Sequence, residues 1–297
     1  MIDKKYRKMK YICHKKPEYP TMKKSITALL LLLPLLFTAC KEDPEAPARP
    51  WLAAAQEAFA SGECDRAKSC IDSIRILCPR AIETRRTALE LLREVEKSEA
   101  LRTIAYTDSV LALTQTTLER LTPTFVFERD AAYQDLGLFS MASQDLLRNR
   151  GRNFLRAVTD EKGRMTLTSL YNGSSYIHHR AVRVSAGGTF AETPVSTDPY
   201  ESSNAVQKTE RCDFVLGADG GVIDFIALHA GESVKVEYLG EKTYATNLTR
   251  DDTRAIASVL ELARTLQTRE QMLSIGDEAH RKLQFFEHQQ QKSQPTE

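Results

Sequence analysis

Two long amphipathic segments, separated by a stretch of different pattern, constrain the fold of this chain more than any other feature. Between residues 80 and 121, Ile104, Leu111 and Leu118 recur every seven residues, the spacing at which helices pack side by side. Asp108 and Gln115 fall on the opposite seam position, so the heptad pattern is weaker than that of an ideal coiled coil. This segment predicts one long helix that packs against a partner.

The second amphipathic segment lies near the end of the chain. Thr249 and Asp252 have the spacing of a capping box, which predicts a helix start. Apolar residues at helical spacing follow as far as Leu273, and we expect Gly276 to bend the helix. Two long helices that flank one insert predict an antiparallel stalk with the insert at its far end.

The insert, residues 123–247, has the pattern of antiparallel β structure. Short alternating runs are separated by turn sequences such as Asn172-Gly173 and Asp219-Gly220-Gly221. The predicted strands are Thr124–Arg129, Leu155–Asp160, Arg164–Tyr171, Tyr176–Ser185, Cys212–Leu216, Val222–His229, Ser233–Leu239 and Lys242–Leu248. Thr193–Asn204 lacks a pattern and is predicted as a long loop. The fold class is therefore α+β, with an inserted antiparallel β-sandwich or barrel.

A helical hairpin is predicted from Trp51 to the proline at position 79. Ala58, Gly62, Ala67 and Pro79 fall roughly where a tetratricopeptide repeat places them, so this segment resembles one such repeat. The pattern occurs once, whereas stacked arrays need about three units. We therefore expect a single hairpin packed on a longer helix, and not a peptide-binding superhelix.

The N-terminal part has the three parts of an export signal. Lys23 and Lys24 precede the apolar run Ile26–Phe37, which is shorter than the roughly 20 residues of a membrane-spanning helix. Small residues and Cys40 follow. The stretch Leu36-Phe37-Thr38-Ala39-Cys40 resembles the lipobox of bacterial lipoproteins, which implies cleavage after Ala39 and acylation of the Cys40 thiol. A short anchor helix that is never cleaved is the alternative.

These signals divide the chain into segments. Residues 1–21 fit poorly before such a signal, and we expect that translation starts at Met22. The expected parts are a leader and signal peptide at 1–39, the lipidated cysteine and a Pro-rich extended tether at 40–50, a helical region at 51–122, the β domain at 123–247, a long helix at 248–290 and a tail at 291–297.

Charge and the first residues after Cys40 bear on partners and location. The chain carries a formal charge of +1, of which residues 1–39 contribute +7, so the mature part carries −6. An acidic protein has no electrostatic footprint for nucleic acid. Lys41-Glu42-Asp43 resembles the short acidic signal of Bacteroidetes lipoproteins, which implies an outer-membrane and surface-exposed location; a solvated tether is the alternative.

Residues with chemical potential form no known motif. Cys64, Cys70 and Cys78 lie along one predicted helix, too far apart for disulfides, and are expected to be buried thiols. His178 and His179 would point to opposite faces of a strand, and His229 could approach them only through the fold. No metal ligands, cofactor site or nucleophile motif are predicted.

These observations favour a lipid-anchored envelope protein that binds another envelope protein or a glycan. Four aromatic residues near the turns of the β region are its candidate contacts: Tyr171, Tyr176, Phe190 and Tyr200. The chain resembles uncharacterised envelope lipoproteins of the Bacteroidetes in its signal and tether. The alternatives are a hydrolase of extracellular polymer that uses His178, His179 and His229, and a structural lipoprotein that self-associates through its long helices.

Overall fold

The computed structural model describes residues 43–293, with side chains up to residue 289, so Cys40, the predicted signal peptide and the last residues of the tail lie outside the described residues. The chain combines helices with antiparallel sheets, as the α+β prediction states. Its helices are α1 Arg49–Ala60, α2 Cys64–Leu77, α3 Ile82–Leu121, α4 Val222–Leu228 and α5 Arg250–Ser293. Its strands are β1 Val126–Glu128, β2 Leu138–Ser140, β3 Phe154–Asp160, β4 Met165–Gly173, β5 Ala181–Ala186, β6 Thr189–Glu192, β7 Tyr200–Ser203, β8 Lys208–Val215, β9 Lys235–Leu239 and β10 Tyr244–Asn247. Within the described range, no helix combines the length and apolarity needed to cross a bilayer.

Small apolar side chains let α1, α2 and α3 approach closely. Ala48, Cys78 and Ala81 are buried in one cluster, which joins the start of α1, the end of α2 and the start of α3. Gly62 takes a positive φ of 81° in the α1–α2 turn, a conformation that favours glycine. The cysteines at 64, 70, 78 and 212 are all buried free thiols, which confirms the predicted buried thiols at 64, 70 and 78, although Cys78 follows the last residue of α2.

The sequence predicts an extended Pro-rich tether at residues 40–50. The described part of this segment, residues 43–50, is not extended. Residues 44–48 form consecutive turns, and α1 begins at Arg49, with Pro50 in its first turn. The Glu45 carboxylate accepts hydrogen bonds from the backbone N–H of Glu83 (3.3 Å) and Thr84 (2.9 Å). A side chain from this segment thus satisfies the free N–H groups of α3, which explains why the prolines do not keep the chain extended.

The helices α3 and α5 lie side by side and run in opposite directions. Arg120 pairs with Glu261 (3.0 Å) near one end, and Gly276 faces Thr107 further along. The predicted bend at Gly276 does not interrupt α5. A Cβ at Gly276 would lie 3.2 Å from Thr107 Oγ1, so the glycine permits close contact between the helices.

The seam of α3 differs from the prediction in its polar positions. Asp108 and Gln115 are exposed, whereas Thr107 and Thr114 are buried between the helices. Their hydroxyls donate to backbone carbonyls of α3, at 2.9 Å and 2.8 Å. Because these bonds satisfy the hydroxyls within the helix, threonine can occupy a buried seam position that the heptad rule assigns to apolar residues.

The strands form two open antiparallel sheets and no closed barrel in the part of the chain that is described. The larger sheet has the order β1-β2-β3-β4-β8-β7, and the smaller has the order β10-β9-β5-β6. Both sheets contribute to one hydrophobic cluster with α4 and the first half of α5. Representative members are Leu155, Leu167, Val182, Val236, Ile223, Ile256 and Val259.

Three predictions for the β region are wrong. Val222–His229 is not a strand, because α4 occupies Val222–Leu228; the Asp219 carboxylate accepts from the N–H of Ile223 (2.7 Å) at the start of that helix. Thr193–Asn204 is not wholly a loop, since it contains β7. The predicted strand Tyr176–Ser185 begins only at Ala181. The capping box at α5 is confirmed, because Thr249 and Asp252 exchange backbone-to-side-chain hydrogen bonds of 3.2 Å.

The β3–β4 turn is attached to α5. Gln267 donates to the carbonyl of Gly163 (2.8 Å), and Arg269 donates to that of Glu161 (2.8 Å). Gly163 has a φ of 80°, and a Cβ there would lie 2.3 Å from the Ala263 carbonyl oxygen. Only glycine allows the turn to lie this close to the helix backbone.

Candidate functional site

A buried carboxylate organises the segment that contains the two adjacent histidines. Along β8, Glu210, Cys212 and Phe214 alternate toward the core. The Glu210 carboxylate accepts hydrogen bonds from the backbone N–H of Ile177 (2.6 Å), His178 (3.0 Å) and His179 (2.8 Å). A single side chain therefore holds three successive backbone donors.

The imidazole of His179 links Glu210 to a serine. Its Nδ1 lies 2.8 Å from Glu210 Oε2, and its Nε2 lies 2.8 Å from the Ser169 hydroxyl. Burial lowers the pKa of His179, so the ring is neutral near pH 7. The neutral ring then donates a hydrogen bond from Nδ1–H to the carboxylate and accepts a hydrogen bond from the Ser169 hydroxyl at Nε2. Carboxylate, histidine and serine stand in the order that activates a serine nucleophile in hydrolases.

This triad is closed to solvent. Ser169, His179 and Glu210 are each no more than 1% exposed. Ser169 lies within β4 opposite Cys212 of β8, and the ring of Tyr238 covers the imidazole edge-on at 5.3 Å. A substrate cannot contact the Ser169 hydroxyl unless the sheet or the Tyr238 ring moves. In this conformation the three side chains form a buried hydrogen-bond network.

The outer face of the larger sheet, above this triad, is polar and partly exposed. We define the outer sheet face as Arg156, Thr168, Tyr200, Arg211 and Asp213, which strand pairing places on the same side. The Asp213 carboxylate accepts from the Thr168 hydroxyl (2.6 Å) and from Arg211 (3.0 Å). The Arg211 guanidinium lies 5.8 Å from the ring centre of Tyr200, which is 57% exposed. The face thus combines an open aromatic ring with fixed hydrogen-bonding groups.

A cleft of about 320 Å³ borders this face at Arg156. Glu128, Asp145 and Arg148 also line it. Arg156 is half-buried, its Nε donates to the Gln144 carbonyl (3.3 Å), and it forms no ion pair among the described side chains. Burial lowers the pKa of Arg156, yet a guanidinium stays charged at neutral pH. Its remaining N–H groups are available to a ligand in the cleft.

The structure separates the predicted histidines. His179 is buried and His178 is exposed, as predicted, but neither lies in a strand. His178 has a positive φ of 55°, and its Nδ1 pairs with Glu201 (2.8 Å). His229 packs against Phe225 at 4.4 Å between ring centres and does not join the other two. No group of three potential metal-ligating side chains occurs among the described residues.

The four candidate aromatic residues also have different environments. Tyr171 is buried, and its hydroxyl donates to the Ser175 carbonyl (3.4 Å). Tyr176 is half-buried and stacks on His178 at 5.5 Å. Phe190 is 65% exposed on the smaller sheet, and Tyr200 is exposed on the outer sheet face. Only Tyr200 among the four belongs to that face.

Sequence patterns alone did not identify Ser169, Glu210 or Arg156. One signal was present: Glu210 occupies an inward position of the alternating run Glu210, Cys212 and Phe214, and Ser169 lies between the inward Leu167 and Tyr171. A charged or polar residue in an apolar alternation marks a buried hydrogen-bond network.

The titration of His179 predicts an acid-sensitive β region. Because its folded pKa is lowered, the unfolded chain binds a proton more readily, and stability falls as pH drops below the ordinary histidine pKa of about 6.5. Thermal melting should therefore occur at lower temperature at pH 5.5 than at pH 7.5, and His179→Gln should flatten this difference.

The neighbouring histidine provides the control. The hydrogen bond to Glu201 raises the pKa of His178, so its contribution has the opposite sign and is lost as pH rises. His178→Gln should therefore steepen the acid destabilisation. An unchanged pH profile in His179→Gln would contradict the assignment of a neutral buried ring.

Comparisons of the chain with protein-family models, with curated proteins and with solved structures find no match.

Proposed function

We propose that this chain is a lipid-anchored envelope protein, acylated at Cys40, that binds a glycan on the outer sheet face. In this proposal, α1 and α2 form a base, α3 and α5 form a stalk, and the two sheets form a sandwich that carries the binding face. The lipobox-like sequence before Cys40 supports the anchor. The observation that carries the binding role is the exposed Tyr200 ring beside the Arg211–Asp213 pair.

The chemistry of the face fits a polar, ring-shaped ligand. Sugar rings stack on tyrosine through their C–H faces and hydrogen-bond through their hydroxyls. Asp213 and Arg211 supply an acceptor and donors, and the hydrogen bonds to Asp213 from Thr168 and Arg211 hold them in place. From β3 to β7 the face covers three strand spacings, which is about 14 Å and suits a short oligosaccharide. Arg156 supplies guanidinium donors at the far end, beside the carboxylates of Glu128 and Asp145 in the cleft.

Binding should depend on the two ends of the outer sheet face. The mature chain, with Cys40→Ser to keep it in solution, would be screened on a glycan array and then titrated by calorimetry with the best ligand. Tyr200→Ala and Arg156→Ala should each weaken binding by about tenfold or more, since a stacked ring or charged hydrogen bond contributes roughly 1–3 kcal/mol.

Phe190→Ala is the matched control. Phe190 is equally exposed and also lies beside an arginine, at 5.2 Å from Arg183, but on the smaller sheet. The Phe190→Ala chain should bind the glycan as tightly as the parent chain does. Absence of any glycan ligand, together with capture of one envelope protein that requires Tyr200, would favour the protein-partner alternative.

A second candidate function, hydrolysis of an extracellular polymer, has one specific observation in its favour: the order Glu210–His179–Ser169. It requires an opening that exposes the Ser169 hydroxyl. Incubation with each array ligand separates the two functions. Products released by the parent chain, and not by Ser169→Ala, would show catalysis, whereas binding without products would support the proposed role.

A further inference from the structure

The end of the molecule where α1, α2 and α3 meet carries exposed apolar side chains. Ile76 and Leu77 in the last turn of α2 and Ile82 at the first position of α3 are 63–67% exposed. Trp51, in the first turn of α1, is also exposed. We define these four residues as the apolar end.

A buried cluster beneath these residues places the apolar end at one location. Ala48, Cys78 and Ala81 bury one another, and each lies within three residues of a member: Trp51, Leu77 and Ile82 respectively. Because these four side chains are exposed, they do not contribute to the core. They form an unpaired patch, which usually marks a contact with another apolar phase.

The segment that precedes α1 indicates that this apolar phase is a lipid bilayer. Glu45 binds the backbone of Glu83 and Thr84, directly beside Ile82. Cys40 precedes Asp43 by three residues, which span at most about 11 Å when fully extended. Chain length therefore limits the cysteine that our proposed function acylates to within this distance of Asp43, which belongs to the segment that contacts the start of α3.

Charge at this end is also compatible with a bilayer surface. Residues 72–86 contain four arginines and two acidic residues, and residues 43–49 add Asp43, Glu45 and Arg49, so this end carries a small net positive charge in a mature chain whose net charge is −6. Arginine side chains extend along apolar surfaces toward lipid phosphates, and tryptophan favours the membrane interface.

We propose that the apolar end is a membrane-contact surface, on which Trp51, Ile76, Leu77 and Ile82 enter the interface of the bilayer that holds the acyl chains. This inference rests on the proposed lipid anchor for its geometry. It adds a second, non-covalent attachment, and one lipid chain combined with a second signal gives firmer binding than either alone. It also fixes orientation, since the helical base lies on the membrane.

The single tryptophan of the chain makes the proposal directly measurable. The acylated chain would be reconstituted in phosphatidylethanolamine–phosphatidylglycerol vesicles, with and without brominated acyl chains. We expect bromine to quench Trp51 fluorescence and the emission to shift to shorter wavelength. Tethered protein whose Trp51 is neither quenched nor shifted would overturn the proposal while leaving the lipid anchor intact.

A second measurement is independent of acylation. The Cys40→Ser chain should partition onto the same vesicles, and the triple variant Ile76→Ser, Leu77→Ser, Ile82→Ser should partition about tenfold or more less strongly, since each buried aliphatic side chain contributes to transfer. The control triple variant changes three exposed apolar residues elsewhere: Leu113→Ser, Leu147→Ser and Val206→Ser. Equal partition of the two triple variants would refute the contact surface.

The two proposals fail in different ways. If mass spectrometry shows no acyl group on Cys40, the lipid anchor is wrong, and vesicle binding by the Cys40→Ser chain still tests the apolar end. Circular dichroism of both triple variants checks that the substitutions leave the fold unchanged.

Discussion

Replacement of Glu210 by alanine is expected to lower the free energy of unfolding by about 3–5 kcal/mol. The carboxylate accepts three backbone N–H groups and the Nδ1–H of His179, and its removal leaves these donors unsatisfied in the core. Burial raises the pKa of Glu210, but hydrogen bonds from His179, Ile177 and His178 outweigh burial and lower it overall. The negative charge is therefore the stabilised form, and its contribution is lost as pH falls below the ordinary glutamate range.

Urea denaturation followed by far-ultraviolet circular dichroism measures this loss. Glu201→Ala is the control. Glu201 of β7 lies opposite Glu210 of β8 in the strand register, yet its carboxylate accepts a hydrogen bond only from the exposed His178 ring. It should change stability by less than about 1 kcal/mol. Similar losses in the two variants would mean that the buried bonds contribute little beyond an ordinary surface carboxylate.

Gly163→Ala is expected to cost about 3 kcal/mol or more, which combines positive-φ strain with overpacking. A Cβ at this position would lie 2.3 Å from the Ala263 carbonyl oxygen and 2.7 Å from the Gln267 nitrogen, both in the α5 backbone. Backbone cannot move aside as a flexible side chain does, so the β3–β4 turn would separate from α5 and the bond from Gln267 would weaken. Thermal melting measures the loss.

Gly188→Ala isolates the contribution of the close approach. Gly188 has a φ of 81°, against 80° for Gly163, but nothing lies within 4 Å of the Cβ that alanine would add. It should cost only the conformational strain, about 1 kcal/mol. If both variants melt at the same temperature, backbone conformation alone explains the glycine at 163.

Local patterns predicted the elements whose contacts lie near in sequence. The heptad residues Ile104, Leu111 and Leu118 predicted α3, and Thr249 with Asp252 predicted the start of α5, because caps and periodicity depend on neighbours within a few positions. The run Val222–His229 was wrongly predicted as a strand, since a short apolar segment suits a buried strand or a helix equally. The Asp219 side chain and two positive-φ glycines at 220 and 221 determine the helix.

The candidate sites depended on contacts that no local pattern contains. Glu210 binds residues 31–33 positions away, and Ser169 meets His179 only because β4, β8 and the histidine segment converge. Tyr200 appeared in an unpatterned stretch, although strand pairing with β8 places it opposite Arg211. Exposed aromatic residues could be recognised from the sequence, but their grouping on one face required the order of the strands.

The path of α5 also has a consequence for the timing of folding. Its first half, with Ile256, Val259 and Ala263, completes the core of the sheets, while Leu262 and Leu266 bury the end of α3. This helix follows the other described elements along the chain, and proteins acquire structure during synthesis largely in chain order. Neither the core of the sheets nor the cluster at the end of α3 can close until α5 has been made. In the exported lipoprotein that we propose, a nascent chain that stays open in this way is well suited to passing through an export pore before it folds on the far side.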